Sequence, residues 1–573
     1  MYIQLVTDEE EGCWDELYEA LELGVDIETT GLDPHTCEII SVQVAHDDTC
    51  FILDFRKGSF PEFGNFLAEY TGTLIFHNAK FDLKFLYRHY GVFPLKIGDT
   101  FLAERLLSSG RYMPTRSAGL KAVTERRLGI AMDKGIVETF LQPLAMTLDF
   151  TQEQLDYAAQ DALVLPKIYY EQLQELEETD QMDVYNLELD FVPVLVLTEL
   201  TGIGLDIPAW TRLYHEAERK AKEYREALVT MSGNPDFNPN SPKQLIKVMY
   251  GLNIPVPVFK GRETTGEQHI AKLRHPFIKT LLVYRQQAKL VSTYGKDFLK
   301  NVNPITNRVH ANFHQLGTET GRLSSAAPNM QNIPRDAEIR ACFKAQTGYK
   351  IISADFSMQE IVVQAELSDD PELIKILNNG IDRHRATAAI LFEVSYDDVT
   401  KEQRAKGKTF NFGIGYGSSA WNMANKLELP ERLIEKALLT YWKTFEVLRK
   451  FNLRTGLIAF RDGYSSTALG RKRWYINMDK QRTMRLAANH VIQGTAADMT
   501  KFAAVLISNF IRENNIDAQI INFVHDEVEV EVLEEDAEAL ASMIETLMGR
   551  AGAKFVSKVT QGAEVKIGDT WQK

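Results

Sequence analysis

The length of the chain is the feature that most constrains its fold. A single hydrophobic core rarely organises more than about 250 to 300 residues, and this chain has 573. No apolar run reaches the roughly 18 residues that a membrane-spanning helix needs, and the first residues, MYIQLVTDEE, are acidic where a secretory signal would be basic. We therefore expect roughly two to four folded domains, a cytoplasmic location and no membrane association.

The composition excludes several classes of protein. Hydrophobic residues at 45% and charged residues at 25% are typical of soluble folded proteins. The cysteines Cys13, Cys37, Cys50 and Cys342 lack CxxC pairing, which fits a reducing compartment and predicts neither disulfides nor a zinc site. The net charge of −15 argues against nucleic-acid binding over the whole surface, although a basic cluster such as 471–473 can still line a cleft.

Apolar spacing divides the chain into segments. Period-two patterns predict strands over 23–28, 39–45 and 49–54, and spacing near 3.6 predicts helices over 81–90, 100–108 and 152–173. This α/β segment ends near residue 180, and the acidic stretch 171–183 that follows is interpreted as a hinge. Residues 209–300 are helical and charge-rich, with Ser241 and Pro242 starting one helix. From 350 onward, strands alternate with long helices.

The first group of candidate functional residues lies in the N-terminal segment. Strand periodicity places Asp26 and Glu28 on one face, and hard oxygen ligands of this kind select magnesium or manganese. Asp82 lies at the start of a helix, and Tyr157 and Asp161 lie four apart on one helix face. Taken singly, the strand pair is compatible with a solvated strand end, and each of the helix residues is compatible with a structural role.

Together, the order and spacing of these five residues resemble the DEDD exonuclease family in its tyrosine-containing branch, over roughly residues 20 to 175. The resemblance implies a ribonuclease H-like fold, an active 3′–5′ exonuclease and two metal ions held by the four carboxylates. It also implies that Tyr157 orients the attacking water.

The second group lies in the C-terminal half. In 353–357 an apolar strand ends in Asp355, and Glu360 follows five residues later. In 524–527 an acidic pair, Asp526 and Glu527, interrupts a hairpin pattern in which a turn would place Asp526 at an exposed tip. An isolated aspartate or an acidic hairpin turn by itself predicts nothing about function.

The third stretch of this half, RAKGKTFNFGIGYG, places two cations and an aromatic ring along one helix face. Arg404, Lys408 and Phe412 are spaced at i, i+4 and i+8, and Gly413 and Gly415 allow close backbone approach before Tyr416. A solvated face is one interpretation of this stripe. The other is a nucleoside triphosphate site, with phosphates on the cations and a base on an aromatic ring.

These three stretches together resemble motifs A, B and C of the DNA polymerase I family, also called family A. The resemblance implies that Asp355 and Asp526 hold two magnesium ions, which manganese can replace, and that Glu527 belongs to the catalytic set. It further assigns a set of residues to the incoming deoxynucleoside triphosphate: Arg404, Lys408, Phe412, Tyr416, Glu360 and His384.

Further matches extend the resemblance over residues 186 to 573, through TGRLSS, PN-x-QNIP, LGRKRW and NHVIQGTAAD. They imply contacts with primer or template by ten residues: Arg285, Lys289, Arg322, Asn329, Gln331, Asn332, Arg471, Asn489, Gln493 and His525. Minor-groove acceptors are common to all correct base pairs, so contacts there check shape without selecting a sequence. A general copying enzyme is the implied class.

Two positions carry expectations about substrate choice. Glu360 aligns with the family's steric gate against a 2′-hydroxyl, and Phe412 implies discrimination against dideoxynucleotides. The chain departs from the family pattern DYSQIELR at Met358 and Val362, where glutamine and arginine are usual. Glu360 thereby loses a neighbour that is common in the family, and the sequence leaves open whether Gln359 or Gln364 replaces it.

The expected fold is multidomain, α/β and α+β. A ribonuclease H-like exonuclease domain (1–182) precedes a right-hand polymerase domain (183–573), with the thumb near 206–309, the palm at 310–370 and 465–573, and the fingers near 371–464. We expect the protein to be a monomer that binds primer–template DNA and deoxynucleoside triphosphates. Whether accessory replication proteins also bind is left open. A 5′ nuclease domain is not expected, and the source can be phage, plasmid, bacterium or organelle.

Two alternatives were weighed against this interpretation. A single-subunit RNA polymerase shares a palm with related motifs, but Glu360 and the exonuclease motifs argue against it. A nuclease whose C-terminal part only binds DNA would not need the acidic pair of Asp355 and Asp526 together with Arg404 and Lys408.

Overall fold

The computed structural model describes residues 1–8, 13–111, 118–132, 137–140, 146–259, 261–334, 336–415 and 418–571, apart from the side chains of 137, 138 and 412. The N-terminal part contains six strands and eight helices in its described ranges, in the order β1 (Tyr2–Val6), α1 (Trp14–Glu19), β2 (Glu22–Thr29), β3 (Ile39–His46), β4 (Thr49–Asp54), α2 (Pro61–Glu69), β5 (Thr73–Phe76), α3 (Ala79–Tyr90), β6 (Ile97–Asp99), α4 (Thr100–Leu107), α5 (Leu120–Leu128), α6 (Val137–Phe140), α7 (Gln152–Leu163) and α8 (Leu165–Glu178).

These strands form one six-stranded sheet in the order β1-β4-β3-β2-β5-β6. Strand β3 is antiparallel to both β2 and β4, whereas β5 runs parallel to β2. The three predicted strands are confirmed as β2, β3 and β4. The helix predicted over 152–173 is divided at Val164, because Pro166 has no N–H to donate to the carbonyl oxygen of Ala162 one turn earlier.

The predicted hinge after residue 171 is wrong. Helix α8 continues to Glu178, and after a short break α9 (Met182–Thr201) begins. Gln181 in this break is fully buried, and its side chain accepts a hydrogen bond from the backbone N–H of Lys472 at 3.1 Å. The connection is therefore packed against the C-terminal part instead of forming an exposed linker.

The next segment is a helical arm with its own small core. It contains β7 (Ile203–Leu205), α10 (Ile207–Ser232), α11 (Pro242–Gly251), β8 (Val258–Phe259), β9 (Arg262–Glu263), α12 (Glu267–Ile270), α13 (Pro276–Tyr294) and a 3-10 helix (Lys296–Asn301). Leu228, Leu245, Met249 and Leu281 belong to a buried cluster separate from the main core. Ser241 and Pro242 start α11 as predicted, but the Ser241 side chain forms no capping hydrogen bond.

A four-stranded antiparallel sheet lies at the centre of the C-terminal part, in the order β17-β18-β14-β19. The preceding and contributing elements are β10 (Arg308–Val309), β11 (Asn312–His314), β12 (Ser324–Ala326), a 3-10 helix (Met330–Asn332), α14 (Ala337–Arg340), β13 (Phe343–Lys344), β14 (Tyr349–Phe356) and α15 (Gln359–Ser368).

Helices then form a second lobe, and the chain returns to complete the sheet. The helices are α16 (Pro371–Asn378), α17 (Arg383–Phe392), α18 (Lys401–Gly415), α19 (Ala420–Leu427), α20 (Glu431–Thr444) and α21 (Glu446–Asp462). The return comprises β15 (Tyr464–Ser466), β16 (Lys472–Trp474), α22 (Lys480–Glu513), β17 (Ala518–Val524), β18 (Glu527–Leu533), a 3-10 helix (Glu534–Asp536), α23 (Ala537–Phe555) and β19 (Ala563–Gly568). One large apolar core joins the sheet, α9 and the helical lobe.

Candidate active sites

The five N-terminal candidates converge around β2, an interior strand of the six-stranded sheet. Strand β2 carries Asp26 and Glu28, and Asp82 in the first turn of α3 accepts a hydrogen bond from the backbone N–H of Ile27 between them. Helix α7 carries Tyr157 and Asp161, whose side chains are hydrogen-bonded to each other.

A close approach of α7 to β2 makes this convergence possible. A Cβ atom at Gly24 of β2 would lie 2.1 Å from the carbonyl oxygen of Ala162 in α7. Since no side chain could be accommodated at that distance, glycine is required there. The helix can thus place Asp161 within electrostatic reach of Glu28.

The electrostatics of this site are those of crowded, buried acids. Burial, and then the charge of Asp161, raise the pKa of Glu28 to about 8. Burial also raises the pKa of Asp82 well above its usual value, and burial with the nearby Asp161 raises the pKa of Tyr157. A divalent cation would relieve this repulsion.

Sequence inspection missed Asp99, which organises the same region. Its buried carboxylate accepts hydrogen bonds from the backbone N–H groups of Asn78, Ala79, Phe101 and Leu102, at 2.8 to 3.1 Å. Burial raises the pKa of Asp99 to about 6 despite these donors. The carboxylate therefore fixes the starts of both α3 and α4, and with α3 the position of Asp82. Its place directly before the helix predicted over 100–108 was the available N-cap signal.

The donor chemistry of this site fits a hard divalent cation, because all four candidate ligands are carboxylates. Within the described ranges, no three histidine, cysteine, aspartate or glutamate side chains are arranged as ligands of a single ion. A pair of carboxylates with substrate oxygens and waters completing the shell is a common arrangement for magnesium.

In the C-terminal part, the central sheet brings the two predicted aspartates to adjacent strand ends. Asp355 near the end of β14 pairs with Glu527 at the start of β18. His525 and Asp526 form the turn between β17 and β18, with His525 in the left-handed region at φ 60°. The backbone N–H of Phe356 donates to the carbonyl oxygen of Asp526 at 3.4 Å. The predicted hairpin turn is confirmed, with His525 exposed and Asp526 half-buried.

Glu527 differs from its neighbours because its side chain is engaged in the interior. It forms an ion pair with Arg340 at 3.3 Å, and both side chains are 2% exposed. The indole N–H of Trp571 donates to the same carboxylate at 3.1 Å. Glu527 therefore anchors the start of β18 through its contacts with Arg340 and Trp571. Neither of these two partners was identified from the sequence.

Four residues predicted to contact nucleotide or DNA form one hydrogen-bonded chain. The Arg322 guanidinium lies 2.5 Å from the Glu360 carboxylate, and the Gln493 amide donates to the same oxygen at 3.5 Å. The Asn489 amide donates to Gln493 at 3.2 Å. Arg322 also lines a small cavity with His525 and Asp526, so this chain lies beside the strand ends.

Met358 and Val362, the two departures from the family motif, lie on either side of Glu360 in the sequence. Met358 is exposed in the left-handed conformation before α15, and Val362 is buried. Gln359 donates to Ala496 and Thr500 of α22 at 3.1 and 3.0 Å. Gln364 accepts from Arg383 at 3.0 Å. The hydrogen bonds of Gln359 and Gln364 are thus made to residues other than Glu360. Glu360 is instead supported by Arg322 and Gln493.

Helix α18 presents the predicted cations on its surface. Arg404 and Lys408 are exposed one turn apart, and Arg404 forms an ion pair with Asp382. His384 of α17 is buried next to them, and burial lowers its pKa to about 4. The Phe412 side chain and the whole of Tyr416 lie outside the described residues.

The remaining predicted DNA contacts are spread over the arm and the strand region. On α13, Arg285 donates to the carbonyl oxygen of Thr265 at 2.6 Å, and Lys289 is exposed one turn later. Asn329 and Asn332 are exposed and Gln331 is half-buried beside β12. These side chains can be reached by a large polyanion.

Arg471, which was predicted to contact DNA, is directed into the interior in this structure. The Arg471 side chain is 2% exposed and forms ion pairs with Glu188 at 2.5 Å and Asp498 at 2.6 Å. Lys501 also reaches Glu188 at 2.6 Å. Arg471 therefore ties α9 to α22 in the interior, and a contact with a duplex would require this network to open.

Comparisons with known proteins agree with the two-site arrangement. Residues 208–573 match the family described as "DNA polymerase family A", and residues 4–177 match the family described as "3'-5' exonuclease". DNA polymerase I of Aquifex aeolicus (strain VF5) is 31% identical over 585 residues, which cover 96% of each chain. DNA polymerase I of Treponema pallidum (strain Nichols) is 32% identical over 524 residues, 87% of this chain and 51% of that protein. The chain spans only about half of the length of that relative.

A solved structure is also similar over nearly the whole chain. The structure described as "POL domain of Pol1 from M. smegmatis complex with DNA primer-template and dNTP" has a TM-score of 0.86 and 27% identity, and the match covers 99% of each chain. The fold is thus that of a polymerase carrying an exonuclease domain. The chain belongs to DNA polymerase family A, as the motifs predicted. In the described residues, no helix is both long enough and apolar enough to cross a membrane.

Proposed function

We propose that this protein copies a DNA template from deoxynucleoside triphosphates and removes nucleotides from the primer 3′ end when copying fails, in DNA replication or repair. The observation that carries the proposal is the meeting of Asp355 and Asp526 at adjacent strand ends, with Glu360 and Arg322 beside them. A second, separate carboxylate group around Asp26 supports the nuclease activity.

In the polymerase site, Asp355 and Asp526 would hold magnesium, or manganese in its place. When bound, two such ions lower the pKa of the primer 3′-hydroxyl and neutralise charge on the triphosphate. The exposed cations Arg404 and Lys408 bind the phosphates, and Glu360 lies under the sugar of the incoming nucleotide. Arg322 keeps the Glu360 carboxylate in place through their ion pair.

In the nuclease site, Asp26, Glu28, Asp82 and Asp161 would hold the metal ions. Tyr157, which is hydrogen-bonded to Asp161, orients the attacking water. The substrates are primer–template DNA and single-stranded 3′ ends. The similar structure from M. smegmatis was solved with primer–template DNA and dNTP, which supports these substrates. We further propose that the protein acts as a monomer in the cytoplasm.

The test is extension and degradation of a 5′-labelled primer on a DNA template with magnesium. Wild type, Asp355→Ala and Asp26→Ala are compared with and without deoxynucleotides. We expect extension to be lost only in Asp355→Ala and degradation to be lost only in Asp26→Ala. Absence of extension by the wild type would contradict the polymerase activity, and faster extension with ribonucleotides would favour an RNA polymerase.

A further inference from the structure

A second row of polar side chains lies behind the catalytic strand ends of the central sheet. Across the sheet, Asn522 of β17, Glu529 of β18 and Ser353 of β14 are paired side by side, two residue pairs away from the Asp355–Glu527 pair. All three are buried, and Glu529 is 0% exposed. Buried polar groups are costly unless they are hydrogen-bonded, so this row requires a physical explanation.

Glu529 links the two strands that carry the aspartates. The Ser353 hydroxyl donates to its carboxyl group at 2.5 Å, and Ser353 precedes Asp355 by two residues on β14. The same carboxyl group is hydrogen-bonded to Glu527, which directly follows Asp526. Burial, and then the charge of Glu527, raise the pKa of Glu529 well above its usual value, so a protonated carboxyl can donate to one partner and accept from the other.

The Glu527 side of this link is itself anchored. Arg340 forms an ion pair with Glu527, and its guanidinium also lies 4.1 Å above the ring of Trp571. Among the described residues, both polar atoms of the Asn522 amide and one oxygen of Glu529 have no hydrogen-bond partner. Because Asn522 and Glu529 are cross-strand partners, the Asn522 amide is a candidate donor to that oxygen.

We infer that Glu529 is a positioning residue of the polymerase site, which holds the ends of β14 and β18 together so that Asp355 and Asp526 keep their relative position. This inference rests on the proposed polymerase activity. Groups that orient metal-binding side chains in this way commonly affect activity by about 10- to 100-fold.

The experiment compares Glu529→Leu, which removes both hydrogen bonds at similar volume, with Glu529→Gln, which keeps a neutral donor and acceptor. Glu531→Gln is the matched control, because Glu531 is also buried on β18 but pairs with Arg308 at 2.9 Å, farther from the strand end. The measurements are kcat for extension, the exonuclease rate of the same protein, and hydrogen exchange of the Phe356 amide in metal-free buffer.

We expect Glu529→Leu to lower kcat for extension about 10-fold or more, to leave the exonuclease rate unchanged and to speed exchange at Phe356. Glu529→Gln should retain wild-type extension and exchange, and Glu531→Gln should lower only thermal stability. Wild-type extension and exchange in Glu529→Leu, or an equal loss in Glu531→Gln, would overturn the inference. A wild type that does not extend the primer would instead contradict the proposed function. The two failures can be distinguished because the hydrogen-exchange comparison does not require an active enzyme.

Discussion

The guanidinium of Arg322 and the carboxylate of Glu360 form an ion pair at 2.5 Å, which joins the segment before β12 to the first turn of α15. Both side chains are about one quarter exposed, at 27% and 23%, so a nucleotide can reach them. Gln493 donates to the same carboxylate oxygen. Glu360 is therefore held from two sides, which fits the steric gate that the motif predicts.

Replacing Glu360 by alanine should relax discrimination against ribonucleotides. Removal of the side chain opens space for a 2′-hydroxyl, and we expect relative ribonucleotide incorporation to rise about 10-fold or more, which corresponds to ~1.4 kcal/mol. Single-nucleotide insertion kinetics with matched ribo- and deoxynucleotides measure this ratio. Gln364→Ala, on the same helix but hydrogen-bonded to Arg383, is the control; an unchanged ratio in Glu360→Ala would remove the gate assignment.

Phe412→Tyr should increase incorporation of dideoxynucleotides. A phenolic hydroxyl supplies a polar group where a chain terminator lacks its 3′-hydroxyl, and we expect relative incorporation to rise about 10-fold or more, ~1.4 kcal/mol. Competition between a dideoxynucleotide and its deoxynucleotide in one reaction gives the ratio. Equal termination by the variant and the wild type would show that this ring does not determine terminator choice.

Glu199→Ala should loosen the contact between the exonuclease part and the polymerase part. Glu199 is an ion-pair partner of Lys80 and of Lys84, the latter at 2.8 Å, and it accepts from the backbone N–H of Phe313 at 2.7 Å. Lys80 would keep its hydrogen bonds to Asn312 and to the carbonyl oxygen of Phe313, but it would remain buried without a counter-ion, so we expect a loss of about 3–5 kcal/mol.

Thermal unfolding monitored by calorimetry measures this loss. Glu216→Ala is the control, because its partners Arg219 and Lys220 are exposed and it should not change the unfolding transition. A wild-type transition in Glu199→Ala would mean that these ion pairs do not contribute to the contact between the two parts.

His490 should make the protein less stable in acid. The ring is fully buried on α22, its Nδ1 lies 2.8 Å from the Ser465 hydroxyl, and burial lowers its pKa to about 3 from 6.5. The unfolded chain therefore binds more protons between these values, and stability falls as the pH drops below 6.5.

The test is the free energy of unfolding at pH 7 and pH 5 for wild type and His490→Gln, which stays neutral and can still accept from Ser465. Between these pH values the wild type should lose ~2 kcal/mol more than the variant. Equal losses in both proteins would show that the ring is accessible to protons in the folded state.

The sequence alone determined the local features of both sites. The alternation in Val25-Asp26-Ile27-Glu28 and the four-residue spacing of Tyr157 and Asp161 are properties of a strand and a helix, so they could be predicted without knowing what packs nearby. The hairpin pattern around 524–527 likewise predicted the turn that carries Asp526, and the structure confirms the turn.

Tertiary structure alone decided which charged residues became internal supports. Arg471 lies in a run of three basic residues, yet it is buried because it pairs with Glu188 of α9, 283 positions earlier, and with Asp498 of α22. The alternation in β18 suggests a strand with one solvent-exposed face, but the glutamates on that face are buried against Ser353, Arg340 and Arg308. Local periodicity reports only which side chains share a face, and the partner that covers the face is fixed by residues distant in sequence.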